Sequence, residues 1–407
     1  MSVSFTCRGH PNIAATHAKT VEFTRDPDIS RRATCVLGVA SDHDDAALRT
    51  LRGHVEVTIA CGGHVESLTA LVSPFFLGDD SLVLRTGEGL RGRTFAYDAS
   101  KGSSDLDRDL VAAAQSPGAT LHVTVRATGR RTAPGALFVV ALPIGNDRDV
   151  TRRAIDVLTG VDLVLAEDTR RLHALAQRLG IATPPARSYY DENEAGRAAQ
   201  ALEMLESGAR LALVSDAGTP LTSDPGYVLV SQAADRGMPV VPVPGASASL
   251  AVLMASGLPV DRYVFAGFLP RRSPARRAAL RELARAGLAL VCYEAPTRIA
   301  SFLADVAAVG PGWRVCVGRE MTKVFEEFRY GTAADLAAEL ADDERPLGEF
   351  TIVIAPDAAA AEDTGDDALL RALLAQGVAP STLARALKQA RGLSRNAAYE
   401  HVLGLEP

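Results

Sequence analysis

From about residue 136 onward, short unbroken apolar runs alternate with longer stretches of helical period. Leu211, Ala212, Leu213 and Val214 form one such run, and it stops abruptly at Ser215-Asp216-Ala217-Gly218-Thr219-Pro220. A buried strand opening into a turn is predicted there, because a run of that length fits a strand and Gly, Pro and Asp punctuate it. The arrangement recurs. Residues 136–142 lead into Pro143-Ile144-Gly145-Asn146, residues 161–166 into Glu167-Asp168-Thr169-Arg170, and residues 240–243 into Pro244-Gly245-Ala246-Ser247. Helices are predicted between them: one N-capped by Asp149 and running through Leu158, one over 171–179 closed by Gly180, one to about Glu206 before Gly208, one leading to Gly237, and an Ala/Leu-rich one to Ser256.

Further on, apolar stretches at 261–269, 288–293, 315–318 and 350–354 alternate with helical patterns near 298–309 and 333–341, which makes a second α/β half. Residues 355–367, APDAAAAEDTGDD, are small and acidic and read as a flexible tether. Beyond it, 369–374, 381–391 and 394–403 predict three short amphipathic helices, with Ser381 and Ser394 as N-caps and Gly377 and Gly392 as breakers. Arg385, Lys388, Arg391 and Arg395 give this helix-turn-helix-like module a basic side. The first 128 residues differ in character: β-rich runs at 33–39, 54–60, 81–85 and 120–125 lie between Gly and Asp clusters, so an α+β or mostly β domain is expected. The polar segment GRRTAPG, 129–135, reads as a linker. The expected divisions are therefore 1–128, 136–245, 246–356 and 368–407.

Length agrees, since 407 residues suggest roughly two to four domains. With 47% hydrophobic and 23% charged residues the chain has material for ample core. Its net charge of −6 argues against wholesale attraction to nucleic acid, so any phosphate contact must be local. The densest basic run is PRRSPARRAALRELARAG from Pro270, where Arg271, Arg272, Arg276, Arg277, Arg281 and Arg285 are opposed only by Glu282. Such a run is either a solvated helical face or a phosphate footprint, because each cation that neutralises a phosphate releases counterions. The five cysteines are odd in number and scattered, so no disulfide framework is expected and a reducing cytoplasm is the expected setting. No charged stretch followed by an apolar core opens the chain, and no apolar run reaches the roughly eighteen residues of a membrane span.

In the first segment, Cys7, His10, His17 and Glu22 crowd together, with Cys61 and His64 as a later Cys-x-x-His. These are metal-ligand types, yet their spacing fits no standard zinc pattern, and structural His and Cys are the commoner explanation. No metal is expected. In the second segment, the strand ends carry the chemistry: in open parallel α/β sheets ligands bind outside the strands' carboxyl ends. Gly218 lets a backbone approach a ligand, and Asp216 and Thr219 offer an acceptor and a hydroxyl. The plainer reading of each loop is an ordinary turn with a capping acid, and Glu167 and Asp168 equally suit the acidic first turn of a helix.

Read together in order, LPIGN at Leu142, AEDTR at Ala166, SDAGTPLTSDPGY at Ser215, PGAS at Pro244, ASGLPVDRYVFAGFLPR at Ala255, YEAPTRI at Tyr293, GREMTKVFEEF at Gly318 and GEFTIVI at Gly348 resemble the RsmI-type ribosomal RNA methyltransferases of the tetrapyrrole-methylase superfamily. The resemblance covers about two-thirds of the chain. The N-terminal third resembles a small family of uncharacterised function. The fold implied is an α/β, two-lobed tetrapyrrole-methylase-like (class III methyltransferase) core, preceded by an α+β, β-rich domain and followed by a small helical module. The activity implied is S-adenosylmethionine-dependent methylation of a cytidine ribose 2′-hydroxyl in the decoding region of small-subunit ribosomal RNA, by a cytoplasmic homodimer acting on ribosomal RNA or the small subunit. The sequence departs from the family pattern at Asp191 and its neighbour Glu192 and at Thr297, where His is usual, and LPIGN and PGAS replace the commoner TPIGN and PGPS.

Expected cofactor contacts are Pro143, Gly145, Asp216, Ala217, Gly218, Thr219, Pro220, Pro244, Gly245 and Ser247. A sulfonium methyl is already activated, so the protein must chiefly hold the acceptor oxygen in line. Glu167, Asp168 or Glu194 can take the hydroxyl proton. Arg170, Arg271, Arg272, Arg276, Arg277, Arg298, Arg319 and Lys323 are the expected phosphate contacts. Two other classes stay open: a methyltransferase acting on a tetrapyrrole-like small molecule, and a non-enzymatic RNA-binding protein with a degenerate cofactor pocket.

Overall fold

In the computed structural model, which describes residues 1–87, 94–129, 135–190, 194–341, 347–356 and 365–405, the period-two pattern of the first segment builds one sheet. Its strands are β1 (Ser2–Arg8), β2 (Thr20–Thr24), β3 (Val36–Gly38), β4 (His54–Cys61), β5 (His64–Val72), β6 (Ser81–Arg85), β7 (Thr94–Tyr97) and β8 (Thr120–Ala127), in the order β1-β8-β4-β5-β7-β6-β2-β3. The short α1 (Asp45–Leu48) and α2 (Arg108–Ala114) accompany it. Strand β4 buries every second residue, so Val55, Val57 and Ile59 reach a core shared with Leu110 and Val111 of α2. Gly62 and Gly63 take φ of 57° and 85° between β4 and β5, the two left-handed positions of a tight hairpin turn. That turn makes Cys61 and His64 cross-strand partners. Strands β1, β2, β5 and β7 go beyond the runs that the sequence pattern predicts. Strands β1 and β2 do alternate, as SVSFTCR and TVEFT, and β7 is only TFAY; all are too short or too mixed to form an apolar run.

Next comes a parallel sheet of β9 (Leu137–Val140), β10 (Leu163–Ala166), β11 (Ala186–Ser188), β12 (Leu211–Val214) and β13 (Val240–Val243), ordered β11-β10-β12-β9-β13. The connecting helices are α3 (Arg152–Gly160), α4 (Thr169–Leu179), α5 (Glu194–Glu206) and α6 (Tyr227–Asp235). Both faces are covered, one by Ala154, Val157, Leu172 and Leu175 and the other by Ala198, Leu202, Leu205 and Leu229, which is why β10 and β12 read as unbroken apolar runs. Gly180 closes α4 at φ 66°. The cap of α3 differs from expectation. Thr151 accepts from the amide of Ala154, while Asp149 ends a 3-10 turn capped by Asn146.

These two sheets belong to one compact unit, Met1–Ser247; the other is Ala248–Pro407. Within the first unit, Phe75 and Leu77 of the N-terminal segment pack against the core around Phe138 and Val157. Arg210, only 2% exposed, donates to the carbonyls of Phe76 (2.6 Å) and Arg49. Its own amide donates to Asp162 at 2.7 Å, and Asp162 also pairs with Arg52 at 2.6 Å.

In the second unit, α7 (Ala248–Ala255) precedes β14 (Tyr263–Phe268), α8 (Ser273–Ala284), β15 (Ala289–Glu294), α9 (Ile299–Val309), β16 (Arg314–Arg319), β17 (Glu327–Thr332), α10 (Ala333–Ala341) and β18 (Phe350–Ala355). The sheet is mixed, ordered β14-β15-β18-β16-β17, with only β14 and β15 parallel. Strand β17 also escapes the sequence pattern, because an edge strand half open to water carries EFRYGT with no apolar run. The final helices are α11 (Gly365–Ala375), α12 (Pro380–Arg391) and α13 (Arg395–Leu403). They share a small core of Leu370, Leu383, Leu387, Ala398 and Val402. Ser394 caps α13, but α12 opens on Ala379 and Pro380 and not on Ser381, and α11 begins inside the expected tether. Residues 130–134 and 357–364, the centres of the two expected linkers, and Asp191 and Glu192 lie outside the described residues.

Candidate functional site

The chain leaves β10 outward to β11 and leaves β12 the other way, across β9, to β13. Adjacent strands whose connections diverge open a crevice at their carboxyl ends, where ligands bind in such sheets. Four of the loops singled out in the sequence meet there. Leu142 and Gly218 exchange backbone bonds of 2.8 and 3.1 Å, joining the loop after β9 to that after β12. The Thr219 hydroxyl donates to the carbonyl of Ala246 at 3.1 Å, which adds the loop after β13. The loop after β10 is tied by two reciprocal bonds: the amide of Asp168 donates to Asp216 Oδ1 (3.0 Å) and the amide of Asp216 to Glu167 Oε2 (3.2 Å).

Backbone conformation explains the residue types here. Gly218 has φ 73°, open to glycine at no cost. A Cβ there would stand 3.2 Å from Ile144 Cγ2 and 3.8 Å from the carbonyl of Ala246. Gly245 has a different reason: its Cβ would meet Ala141 Cβ at 3.0 Å and Ala141 O at 3.2 Å. A side chain at Gly245 would therefore press on the protein itself. Just after Pro220, the loop holds Leu221 and Ser223 both at φ 71°, a left-handed conformation that is strained for a side-chain-bearing residue and clusters at functional loops. Pro143 and Gly145 follow the Leu142 bridge, Pro244 and Ser247 flank Gly245 and Ala246, and Ala217 accepts from the Ser215 hydroxyl at 3.1 Å.

The three carboxylates considered for proton transfer are in different states. Asp168 caps α4 by accepting from the amide of Arg170, and the Arg170 guanidinium binds both its oxygens at 3.0 and 2.7 Å. Those hydrogen bonds hold its carboxyl down at about 2, so it has little appetite for a proton. Glu194 accepts from the amides of Gly226 and Val228 and from the Tyr189 hydroxyl, which makes it the cap of α6. Glu167 accepts from the amide of Asp216 through Oε2 at 3.2 Å. Sequence reasoning passed over Arg171, which reaches Asp216 Oδ2 at 3.3 Å; its place in the first turn of α4, directly after AEDTR, was the available signal.

In the second unit the basic residues separate. Arg276 is buried, pairing with Asp305 Oδ2 at 2.6 Å and also donating to the carbonyls of Ser301 and Arg271. Arg277 joins Asp305 from the other side at 2.5 Å. Burial would push the Asp305 carboxyl up, but the Ser273 hydroxyl and both guanidiniums outweigh it and hold it below its usual value. Arg276 is therefore withdrawn from the expected phosphate contacts, because it stitches α8 to α9. Lys323 pairs with Glu320 and Glu349, Arg319 with Glu327, and Arg298 with the buried Glu294, leaving Arg298 Nε, Arg298 Nη1 and Glu294 Oε2 buried with no partner among the described residues. Arg271 and Arg272 are exposed.

In the first segment His10 pairs with Asp28 at 2.9 Å, His17 accepts from the amide of Lys19, and the Cys35 thiol donates to Glu22 at 3.0 Å. Burial pushes the Cys7 thiol up to about 12. Among the described residues no three potential ligands gather around a common point.

Comparison with known proteins agrees with these loops. The profile of the Tetrapyrrole (Corrin/Porphyrin) Methylases matches residues 136–337 and that of a Domain of unknown function (DUF371) residues 5–128. A protein of Micromonospora olivasterospora named Ribosomal RNA small subunit methyltransferase I is 44% identical over 284 residues, 68% of this chain and 90% of that one. Proteins of the same name from Mesorhizobium japonicum and Escherichia coli O157:H7 are 43% and 41% identical, over 67% and 66% of this chain and 92% and 95% of their own. The chain belongs to the ribosomal RNA small subunit methyltransferase I family. A solved uroporphyrin-III C-methyltransferase from Thermus thermophilus aligns with 54% of this chain and 97% of its own, at 19% identity and a TM-score of 0.40.

S-adenosylmethionine is the methyl donor of this methylase family, and the crevice suits it in kind. Asp216, whose carboxylate ties the loop after β12 to the loop after β10, would offer an acceptor to an ammonium or a ribose hydroxyl. The side-chain-free Gly218, locked to Leu142, leaves main chain at the place a Cβ would fill. Among the described residues no helix is long and apolar enough to cross a membrane.

Proposed function

We propose that this chain transfers a methyl group from S-adenosylmethionine to the 2′-hydroxyl of a cytidine ribose in the decoding region of small-subunit ribosomal RNA, working in the cytoplasm as a homodimer. What carries the reading is likeness of 41 to 44% over 90 to 95% of proteins named for small-subunit ribosomal RNA. The donor's sulfonium supplies an already activated methyl group. The chain's own task is then to cradle the donor with Pro143, Gly145, Gly218, Thr219, Gly245 and Ser247, and to hold the acceptor oxygen in line. Glu167 takes the hydroxyl proton: Asp168 is neutralised as a base by Arg170, and Glu194 is spent on the start of α6. Arg271 and Arg272, exposed at the start of α8, receive RNA phosphates.

A second copy as partner would cover large apolar side chains that the second unit leaves in water. Leu250 and Met254 of α7 and Val324 and Phe325 between β16 and β17 are 52, 88, 92 and 79% exposed, more than scattered surface residues require. The deciding experiment maps ribose methylation in small-subunit RNA from a deletion strain before and after treatment of its subunits with purified protein and donor. Restoration of one missing cytidine 2′-O-methyl group supports the reading. Methylation that never changes, with donor turnover on a tetrapyrrole instead, sinks it.

A further inference from the structure

The carboxyl-terminal helices carry a groove that the crevice chemistry does not use. Helices α12 and α13 pack over Leu387, Ala398 and Val402 and leave a cavity of about 700 Å³ beside them, within the range of ligand sites. Arg385 and Lys388 lie three apart on α12, and Arg395, Asn396 and Tyr399 span one turn of α13, so each helix turns a single stripe of side chains to the groove. Glu400 is the acid of the lining.

Charge sets this surface, like the exposed Arg271 and Arg272, apart from the paired cations of the same unit. The net charge is −6, and Arg276, Arg277, Arg298 and Lys323 of the same unit all find carboxylates. Arg385, Lys388 and Arg395 are exposed and have no ion pair among the described residues. Three cations against the single carboxylate of Glu400 around a concavity favour a polyanion. Tyr399, 42% exposed, adds a ring on which a base can stack, and Asn396 an amide that both donates and accepts. Cations that track a backbone together with an aromatic platform are how single-stranded nucleic acid is held.

We propose that the groove between α12 and α13 docks a single-stranded segment of RNA, with phosphates on Arg385, Lys388 and Arg395 and one base stacked on Tyr399. The inference rests on the reading that the chain acts on ribosomal RNA. It adds a second RNA-binding surface, on an element separate from the crevice.

The test uses the full chain and a single-stranded RNA oligonucleotide of about 12 nucleotides, with binding followed by fluorescence anisotropy over a salt series. Replacing Arg385, Lys388 and Arg395 together by Gln should weaken binding and flatten the dependence of log affinity on log salt by about 2, at roughly 0.7 for each phosphate that is no longer neutralised. Tyr399→Ala should weaken binding about tenfold without altering that slope, and Tyr399→Phe should restore it. Unchanged helical content and melting by circular dichroism show that each variant, its carboxyl-terminal helices included, is folded. An unaltered salt slope in the triple variant overturns the proposal, as does polyphosphate or an acidic peptide binding as tightly as RNA with no dependence on Tyr399. Methylation assays on small subunits separate the two readings. A triple variant that methylates with unchanged KM removes the groove alone, whereas RNA binding through the groove without any RNA methylation removes the reaction and keeps the groove.

Discussion

Asp168 and Glu167 are neighbours at the end of β10 with opposite fates. The Arg170 hydrogen bonds lower the Asp168 carboxyl to about 2, against about 3.9 for a free aspartate. A depressed acid stabilises the fold above its unfolded value and loses that contribution as pH falls through its folded value. The melting temperature of Asp168→Ala should therefore lie below that of the parent at neutral pH, and the difference should close as pH drops from about 4 toward about 2; a gap that persists in acid refutes the assignment. Glu167→Gln keeps an acceptor for the Asp216 amide, so donor affinity should hold while the transfer rate falls by about 10²- to 10⁴-fold. An undiminished rate in single-turnover assays removes Glu167 as the base. The sequence AEDTR displayed both acids equally. It did not display which one a residue two places on would seize, because that depends on Asp168 being the cap of α4. Gly245 carries a similar lesson: its turn was legible, but the Ala141 atoms beneath it belong to a strand end a hundred residues earlier. Gly245→Val should lower the melting temperature along with donor affinity.

At the scale of elements, the same basic run holds two kinds of arginine. Arg276 sits on the buried face of α8 and closes on Asp305 of α9, while Arg271 and Arg272 precede the helix in water. Arg276→Ala strips a buried carboxylate of a partner and should cost about 3–5 kcal/mol of stability, read by denaturant unfolding, though Arg277 can recover part of it. Replacing Arg271 and Arg272 by Ala should leave stability unmoved and reduce the salt slope of RNA binding by about 1 to 2; the reverse pattern, with Arg276 moving the slope, overturns the division. Charge density was legible from composition, but the helical phase that buries Arg276 was not, because an Arg on an apolar face looks like its solvated neighbours until Asp305 is seen opposite. The strands show the same limit. Runs such as LALV announced β12 because both its faces are covered, whereas β11 and β17, edge strands open to water, carry no apolar run to announce them.

Over the whole molecule, the segment ahead of residue 129 reads in sequence as a domain apart, because composition changes there and GRRTAPG has the character of a linker. Yet Met1–Ser247 forms one compact unit. Arg210 is the reason to expect mechanical coupling within it. Its side chain lies almost wholly inside the protein, burial and the nearby Arg52 and Arg49 lower its proton affinity to about 9, and its Nε has no partner among the described residues. A cation held at such cost is kept only by what it joins, which here is the Phe76 and Arg49 carbonyls of the N-terminal segment. A chain starting at Gly135 would leave Arg210 without both acceptors and bare the face that Phe75 and Leu77 cover. It should melt well below the full chain and associate at concentrations where the parent does not, with donor affinity falling only as far as the fold does. Within the full chain, Arg210→Ala should separate the melting of the N-terminal sheet from that of the parallel sheet, both of Met1–Ser247, into two calorimetric steps where the parent shows them together. If the shortened chain instead keeps the parent's melting temperature, and the Arg210 variant still melts both sheets in one step, the N-terminal segment is an independent passenger and the bonds around Arg210 couple nothing.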